Sequence, residues 1–359
     1  MPMPTPPSPA SPPARTPHSG QPTSRPTLAQ VARHAGVSVA SVSRALNGKS
    51  ASRNTVERVR AAVNELGYVP DATARLLKLC HAPAIACAVP DIANPVYVEM
   101  VKAMEQVTRR AGYRLSLVSV GSDPDEVADL VLSLDRGFAD GLILIPLRVT
   151  AQLAHALEQV QVPVAVIGRL PDGVNLDAVQ TDSAAGIRLA VEHLVATGRR
   201  RIGLLNGPSD TTPGAARLAG YGAAMAAAGL STTVIIADEF TTEAGLRAMR
   251  AEASRIADVD AITASNDLLA IGAMKAAAFL GRTIGDDLAL VGMDNTTLAD
   301  LVQPSLTSVS LMAGLRAEEA TELVLDRIEH PGRQPRRITL GPELVVREST
   351  GSLLEGATA

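Results

Sequence analysis

Apolar residues recur at two different spacings along this chain, and the change of spacing divides it. Leu28, Val31, Ala32 and Ala35 fall at i, i+3, i+4 and i+7, one face of a helix. Thr27-Leu28-Ala29-Gln30 ahead of them has the form of a capping box, in which the Thr hydroxyl takes a free backbone N–H and Gln30 reaches back. Gly36 ends this helix, and Ser38 caps a second through about Leu46. Ser52 opens a third, with Val56, Val59, Val63 and Leu66 as its inward stripe before Gly67. Pro70-Asp71 starts a fourth that runs to about Lys78.

From His81 onward apolar runs of β type alternate with helical stretches. Strands are predicted at Ala84–Val89, Arg114–Val120, Gly141–Ile145, Val164–Ile167, Arg201–Leu205, Thr233–Ala237, Ala261–Ala264 and Leu288–Met293. Helical patterns such as Val98–Ala111, Ser183–Ala196 and Leu268–Leu280 lie between them. Near-continuous apolar strands separated by helices indicate parallel sheets covered on both faces. Two doubly wound lobes fit the length of 359 residues.

Composition sharpens the picture at the ends. Residues 1–26 contain ten prolines among Ser and Thr, which cannot bury a core and reads as a disordered tail. The net charge of −4 alone argues against a polyanionic partner, but residues 1–80 hold ten Arg/Lys against three acids, a balance of +7. A basic head on an acidic body suggests that one end meets nucleic acid. Cys80 and Cys87 fit neither a disulfide framework nor a zinc site, and neither a metal nor a cofactor is expected. The sequence has no apolar run of the roughly 18 residues a membrane span needs, and Met1–Pro26 lacks the apolar segment of a secretory signal. The expected location is therefore the cytoplasm, at the nucleoid, with no membrane partner.

Helix, glycine-containing turn, helix over residues 28–46 is a helix-turn-helix pattern, whose second helix enters the major groove. Val42 and Leu46 belong to its buried face, leaving Val39, Ala40, Ser41, Ser43, Arg44 and Asn47 outward. Ser38, Ser41 and Asn47 suit phosphate oxygens, which set register. Arg44 can bind a guanine edge bidentately, while Val39 and Ala40 can touch thymine methyls. The bland alternative is a helical hairpin with a solvated polar face.

Residues 27–78, TLAQVARHAGVSVASVSRALNG…SRNTVERVRAAVNELGYVPDATARLLK, resemble the headpiece of the lactose-repressor (LacI/GalR) family of transcriptional regulators. The resemblance continues through VPDIANPVYVEM, VPVAVIGR, RLAGYGAAM, DEFTTEAGLRAM, TASNDLLAIGAM, VGMDN and QPSLTSV, almost the whole chain after residue 27. It implies a helix-turn-helix headpiece with a hinge helix, followed by an α/β two-lobed periplasmic-binding-protein-like core of two doubly wound parallel sheets. The implied boundaries are 27–69 for the headpiece, 70–81 for the hinge helix and linker, and 82–350 for the core. Within the core, lobe 1 takes about 82–182 and 312–342, and lobe 2 about 183–311 and 343–350. The tail 351–359 is shorter than the leucine zipper that makes some relatives tetramers, so a homodimer is expected.

The resemblance implies a repressor that reads a palindromic operator and whose affinity a small-molecule effector modulates, a sugar or related metabolite bound between the lobes. The hinge segment places Leu77 as a minor-groove wedge, with Ala74 beside it and Lys78 next to the phosphates; such a wedge partly unstacks a base step. In the cleft, Arg217, Asn266 and Asp294 match residues that bind ligand oxygens, Phe240 and Tyr97 match aromatic platforms, and Arg169 matches an arginine after a strand. Sugar-binding relatives commonly carry an acid where Gly168 stands, and some a Gln where Leu311 stands, so both wall positions are expected to be less polar here. Two other classes fit the sequence less well. A solute-binding protein without a regulatory role would not need the headpiece. An enzyme would need a Gly-rich phosphate loop, a nucleophile elbow or a convincing acid/base pair, and the sequence offers none.

Overall fold

The computed structural model describes residues 27–46, 52–66, 83–134 and 137–351. Asn47, the segment Pro70–Lys78 with Ala74, Leu77 and Lys78, Cys80, and the terminal stretches 1–26 and 352–359 lie outside the described residues.

The first unit is three helices: α1 (Leu28–Ala35), α2 (Val39–Leu46) and α3 (Arg53–Leu66). The capping box at Thr27 and Gln30 is formed in both directions. Gly36 adopts the left-handed conformation (φ 61°) that lets the chain turn sharply into α2. Arg58 clamps this turn from α3, its Nη2 donating to the carbonyls of Ala35 at 2.6 Å and Gly36 at 3.2 Å. Val31, Ala32, Ala35, Val42, Val59 and Ala62 form the small core. Ala62 thus joins Val59 as the buried centre of α3, while Val56, Val63 and Leu66 are half-buried.

The second unit runs from residue 82. Its elements are β1 (Ala84–Val89), α4 (Pro95–Arg110), β2 (Arg114–Ser119), α5 (Pro124–Ser133), β3 (Gly141–Leu144), α6 (Ala151–Gln159), β4 (Val164–Ile167), β5 (Asp177–Thr181), α7 (Ser183–Ala196), β6 (Ile202–Asn206), α8 (Thr212–Ala227), β7 (Thr233–Ile236), α9 (Thr242–Ala251), β8 (Ala261–Ala264), α10 (Asp267–Phe279), β9 (Ala289–Met293), α11 (Thr297–Leu301), β10 (Thr307–Ser310), α12 (Ala313–Glu329), β11 (Arg337–Leu340) and β12 (Glu343–Val345).

These strands make two six-stranded sheets. The first has the order β11-β5-β4-β3-β1-β2 and is parallel throughout. The second has the order β12-β10-β9-β8-β6-β7, with only β12 antiparallel. Helices cover both faces, which explains why β1, β3, β4, β8 and β9 read as unbroken apolar runs. The chain passes between the sheets three times, after β5, after β10 and after β11. The Thr181 hydroxyl, donating to the Leu311 carbonyl at 2.7 Å, ties the first two passages together.

Four strands escape the hydrophobic pattern. β11 and β12 are edge strands, and β11 alternates exposed and half-buried residues. β5 and β10 sit one place inside the edges and carry polar side chains that find internal partners. Asp177 of β5 accepts from Arg327 Nε at 2.5 Å, and Thr307 of β10 donates to the Arg347 carbonyl at 3.1 Å. Burial of these strands depends on pairings made far along the sequence, which no local periodicity reports.

Candidate functional site

In the headpiece, the turn after Gly36 delivers Ser38 as the cap of α2, its Oγ accepting the Ser41 N–H at 3.1 Å. The Ser38 and Ser41 hydroxyls lie 2.9 Å apart, so each already has one hydrogen-bond neighbour. Val42 points into the core, and Val39 lies on the opposite, exposed face. Ala40, Ser43 and Arg44 are on α2 as the periodicity predicts. Val42 thus anchors α2 on α1 and α3, with Val39 on the side away from that core.

In the core, the carboxyl ends of both sheets open onto a common cleft of about 870 Å³. That is where doubly wound sheets hold ligands, and the volume suits a small molecule. Tyr97, Arg169, Arg217, Phe240, Asn266 and Asp294 all line it, although they come from six separate stretches of sequence. Tyr97 enters from the first turns of α4, which Asn94 caps and Pro95 starts. Arg217 projects from α8, and its Nη1 donates to the Ser265 carbonyl at 2.6 Å. Arg169 stands exposed on the loop after β4, with no hydrogen bond or ion pair among the described residues.

Phe240 lies against the backbone of Gly207, so closely that a β-carbon there would strike the ring. Asn266 is less free than its sequence context implies. Its Oδ1 caps α10 by accepting the Leu269 N–H at 2.8 Å, and its Nδ2 donates to the Phe240 carbonyl at 3.0 Å. One N–H and one lone pair remain for a ligand. Its larger contribution is to hold Phe240 beside the cleft.

Asp294 follows β9 in a positive-φ conformation (φ 102°) and is only 8% exposed. Burial pushes its carboxyl up to about 6, against the pull of Arg217 and Arg316. Burial likewise raises the Tyr97 phenol and lowers the two guanidinium groups from their ordinary values. The cleft centre is therefore a place where charge is poorly hydrated and electrostatic contacts act strongly.

Three features of the site carry no sequence signal of their own. Arg316, in the first turns of α12, reads as an ordinary arginine of an amphipathic helix but lines the cleft. Asp267 is buried beneath Asp294, where it accepts from Thr296 and from the Ser308 hydroxyl at 2.6 Å. Arg148 and Asp210 join opposite lobes through two hydrogen bonds of 2.9 and 3.0 Å. Of the two departures noted in the wall, Gly168 does line the cleft and leaves open space beside it. Leu311 does not. It is buried in the inner core of the second lobe with Val309 and Ile187, because β10 turns its side chain onto α7.

Comparison with known proteins agrees with both halves. Residues 27–71 match the family described as "Bacterial regulatory proteins, lacI family", and residues 191–350 match "Periplasmic binding protein-like domain". The HTH-type transcriptional regulator CelR of Thermobifida fusca is 35% identical over 336 residues, 90% of this chain and 98% of that protein. The ribose operon repressor of Halalkalibacterium halodurans is 34% identical over 90% of this chain and 97% of its own. Among solved structures, the Lac repressor dimer bound to operator and an anti-inducer superposes with a TM-score of 0.81 at 27% identity, covering 91% of this chain and 99% of that one. A complex of CelR with cellobiose gives 0.67 at 34% identity, covering 90% and 100%. With its helix-turn-helix unit, its two-lobed core and relatives matched over nearly their full length, the chain belongs to the LacI family of bacterial regulatory proteins.

Proposed function

We propose that the protein is a ligand-responsive transcriptional repressor that binds a palindromic operator as a homodimer. Its effector occupies the inter-lobe cleft, where Arg217 and Asp294 bind its polar groups, Asn266 positions the Phe240 wall, Tyr97 closes the opposite side and Arg169 stands at the rim. The observation that carries this reading is the convergence of six residues, chosen from sequence alone, on one cleft that both lobes build. The names of the relatives support it: ribose operon repressors among the sequences, and a repressor dimer on its operator among the structures.

At the DNA end, Val39, Ala40 and Arg44 read base edges, Ser38, Ser41 and Asn47 contact phosphates, and Ser43 belongs to the same DNA-binding set. Leu77 with Ala74 wedges into the minor groove, and Lys78 adds a phosphate contact. Phosphate contact is local, so the acidic core does not oppose it. By linkage, a ligand that weakens operator binding must itself bind the operator-bound form more weakly, by the same factor.

The test is selection of operator sequences from random duplex DNA by the purified full-length protein at near-physiological salt, repeated with candidate metabolites. A recovered palindrome whose retention changes with a metabolite supports the reading. Failure to recover any motif under every condition would sink it.

A further inference from the structure

Two guanidinium groups in the cleft keep hydrogen-bonding capacity that no protein group uses. Arg217 from one lobe and Arg316 from the other both line it, and the Nε of each is buried without a hydrogen-bond partner. Arg217 is 7% exposed and spends only Nη1, on the Ser265 carbonyl. The Arg316 side chain makes no hydrogen bond or ion pair with the described residues. Asp294 lies within the electrostatic reach of both arginines. Yet no ion pair closes between its carboxylate and either guanidinium.

The other charged groups around the cleft are occupied or solvated. Arg148 is bonded to Asp210, Asp238 to Arg247, Asp182 caps α7, and Arg337 donates to the Val174 carbonyl. Asp91 accepts the Ala93 N–H at 2.8 Å, while Glu99 and Arg169 are exposed. What remains lining the buried centre is two guanidinium groups and the Asp294 carboxylate with no ion pair among them, while Asp267, buried behind the lining, is already engaged by Thr296 and Ser308. Buried charges are stable only when paired and hydrogen-bonded.

Resting on the reading of this cleft as the effector site, we propose that the effector is a polyhydroxy monocarboxylate, a sugar acid, whose carboxylate bridges Arg217 and Arg316 while its hydroxyls donate to Asp294. A planar carboxylate matches the Nε edge of a guanidinium bidentately. A carboxylate brings one negative charge near Asp294 and Asp267, whereas a phosphate would bring nearly two against the same carboxylates. The bridge spans the lobes, so binding the anion draws them together.

The test is calorimetric titration and thermal melting of the full-length protein at pH 7.5 with gluconate, galactonate, glucuronate and galacturonate. Glucose, galactose and glucose 6-phosphate are measured beside them. At least one acid is expected to bind about 10- to 100-fold more tightly than its neutral counterpart. Arg316→Gln, whose circular dichroism reports its folding, should erase that preference. Arg316→Lys, which keeps charge but not the fork, should recover part of it. Neutral sugars or the phosphate binding while every acid fails would overturn the proposal and leave the cleft reading standing, provided Asp294→Ala abolishes that binding. No response to any of the compounds would count against both.

Discussion

The Asp267 carboxylate accepts the backbone N–H of Thr296 at 2.7 Å and the Thr296 hydroxyl at 2.9 Å, pinning the loop that carries Asp294 to the first turn of α10. That loop is strained. Asp294 and Asn295 both have positive φ, 102° and 50°, a conformation costing about 1–3 kcal/mol for a residue with a side chain. Neighbouring bonds over-determine it: Asp294 N–H to the Val309 carbonyl at 2.8 Å, Asn295 N–H to Ser308 Oγ at 3.0 Å, and Arg347 Nη2 to Asn295 Oδ1 at 2.8 Å. Gly292 belongs to the same device, since a β-carbon there would collide with Asp267 Oδ1.

Replacing Asp267 with Ala should therefore damage stability and ligand response together. Two donors of Thr296 and the Ser308 hydroxyl would lose their acceptor in a buried place, a loss of about 2–4 kcal/mol. Asp267→Asn keeps one acceptor oxygen and should lie between. Urea denaturation followed by circular dichroism measures the first effect, and effector-dependent operator release the second. An Ala variant as stable and as responsive as the parent would show that the Asp294 loop holds itself.

Gly207 is the floor on which Phe240 rests. Gly207→Ala should push the ring from the cleft wall, because the added methyl overlaps the ring atoms themselves. Overpacking of this kind costs about 1–3 kcal/mol in well-packed sites. The expected outcome is an effector affinity at least about 10-fold weaker with the headpiece still able to bind operator DNA. Binding isotherms for ligand and operator, measured on the same variant, separate the two effects.

The first unit was legible from short-range chemistry. Thr27 and Gln30, Gly36, and Ser38 and Ser52 are stop and start signals that act over three or four residues, and the folded chain uses each of them. The apolar strands of the core were legible because burial on both faces leaves no polar alternation to misread. β5 and β10 were not, since the partners of Asp177 and Thr307 lie 150 and 40 residues away along the chain. The same reason hid Arg316. Nothing in AGLRAEEA distinguishes a solvated arginine from one turned into a cleft, and only the second passage of the chain between the lobes, after β10, decides it. Leu311 shows the converse: aligning a position with a ligand contact elsewhere does not say which way β10 faces here.

Arg148 and Asp210 form the forked contact between lobes, and Arg148 also donates to the Ser122 carbonyl at 3.1 Å. The Thr212 N–H, bonded to the Leu147 carbonyl at 2.8 Å, reinforces it. Hydrogen bonding to Arg148 holds the Asp210 carboxyl below its ordinary value. Arg148→Ala should widen the ligand-free cleft, seen as a larger radius of gyration in small-angle scattering, and weaken effector binding several-fold. Scattering curves that superpose with those of the parent would mean that the fork merely decorates a closure maintained elsewhere.

At the DNA end, Arg44→Ala should reduce affinity for the selected operator by about 1–3 kcal/mol and relax the preference at one symmetric base pair. Non-specific binding, carried by phosphate contacts, should persist with a nearly unchanged salt slope. Competition between operator and scrambled duplex measures both. Unaltered selectivity would remove Arg44 from the base-reading set and leave Val39 and Ala40 to account for recognition.

The last prediction concerns pH, and its sign follows from burial. Asp294 titrates at about 6 in the folded chain against an ordinary value of 3.8, so between those values the folded state holds a proton that the unfolded state has released. Its contribution to stability is complete below 3.8 and is lost as pH rises through 6, by an amount on the order of 2–3 kcal/mol. Asp267, raised to about 7, acts in the same direction, whereas burial lowers His193 and makes it act in the opposite one. Asp294→Asn removes its own contribution and the part of the Asp267 shift that the Asp294 charge causes, and leaves His193 unchanged. The stability of the parent relative to this variant should therefore fall from about pH 4 to pH 6 and level off above about pH 7, as read from melting temperatures in the absence of ligand. Ligand reverses the trend for the parent: hydroxyls donate to the ionised carboxylate, so effector binding should weaken as pH falls below about 6. A stability difference that stays level across this range would mean that the Asp294 carboxylate is hydrated in the empty cleft, and the electrostatic argument built on its burial would fail with it.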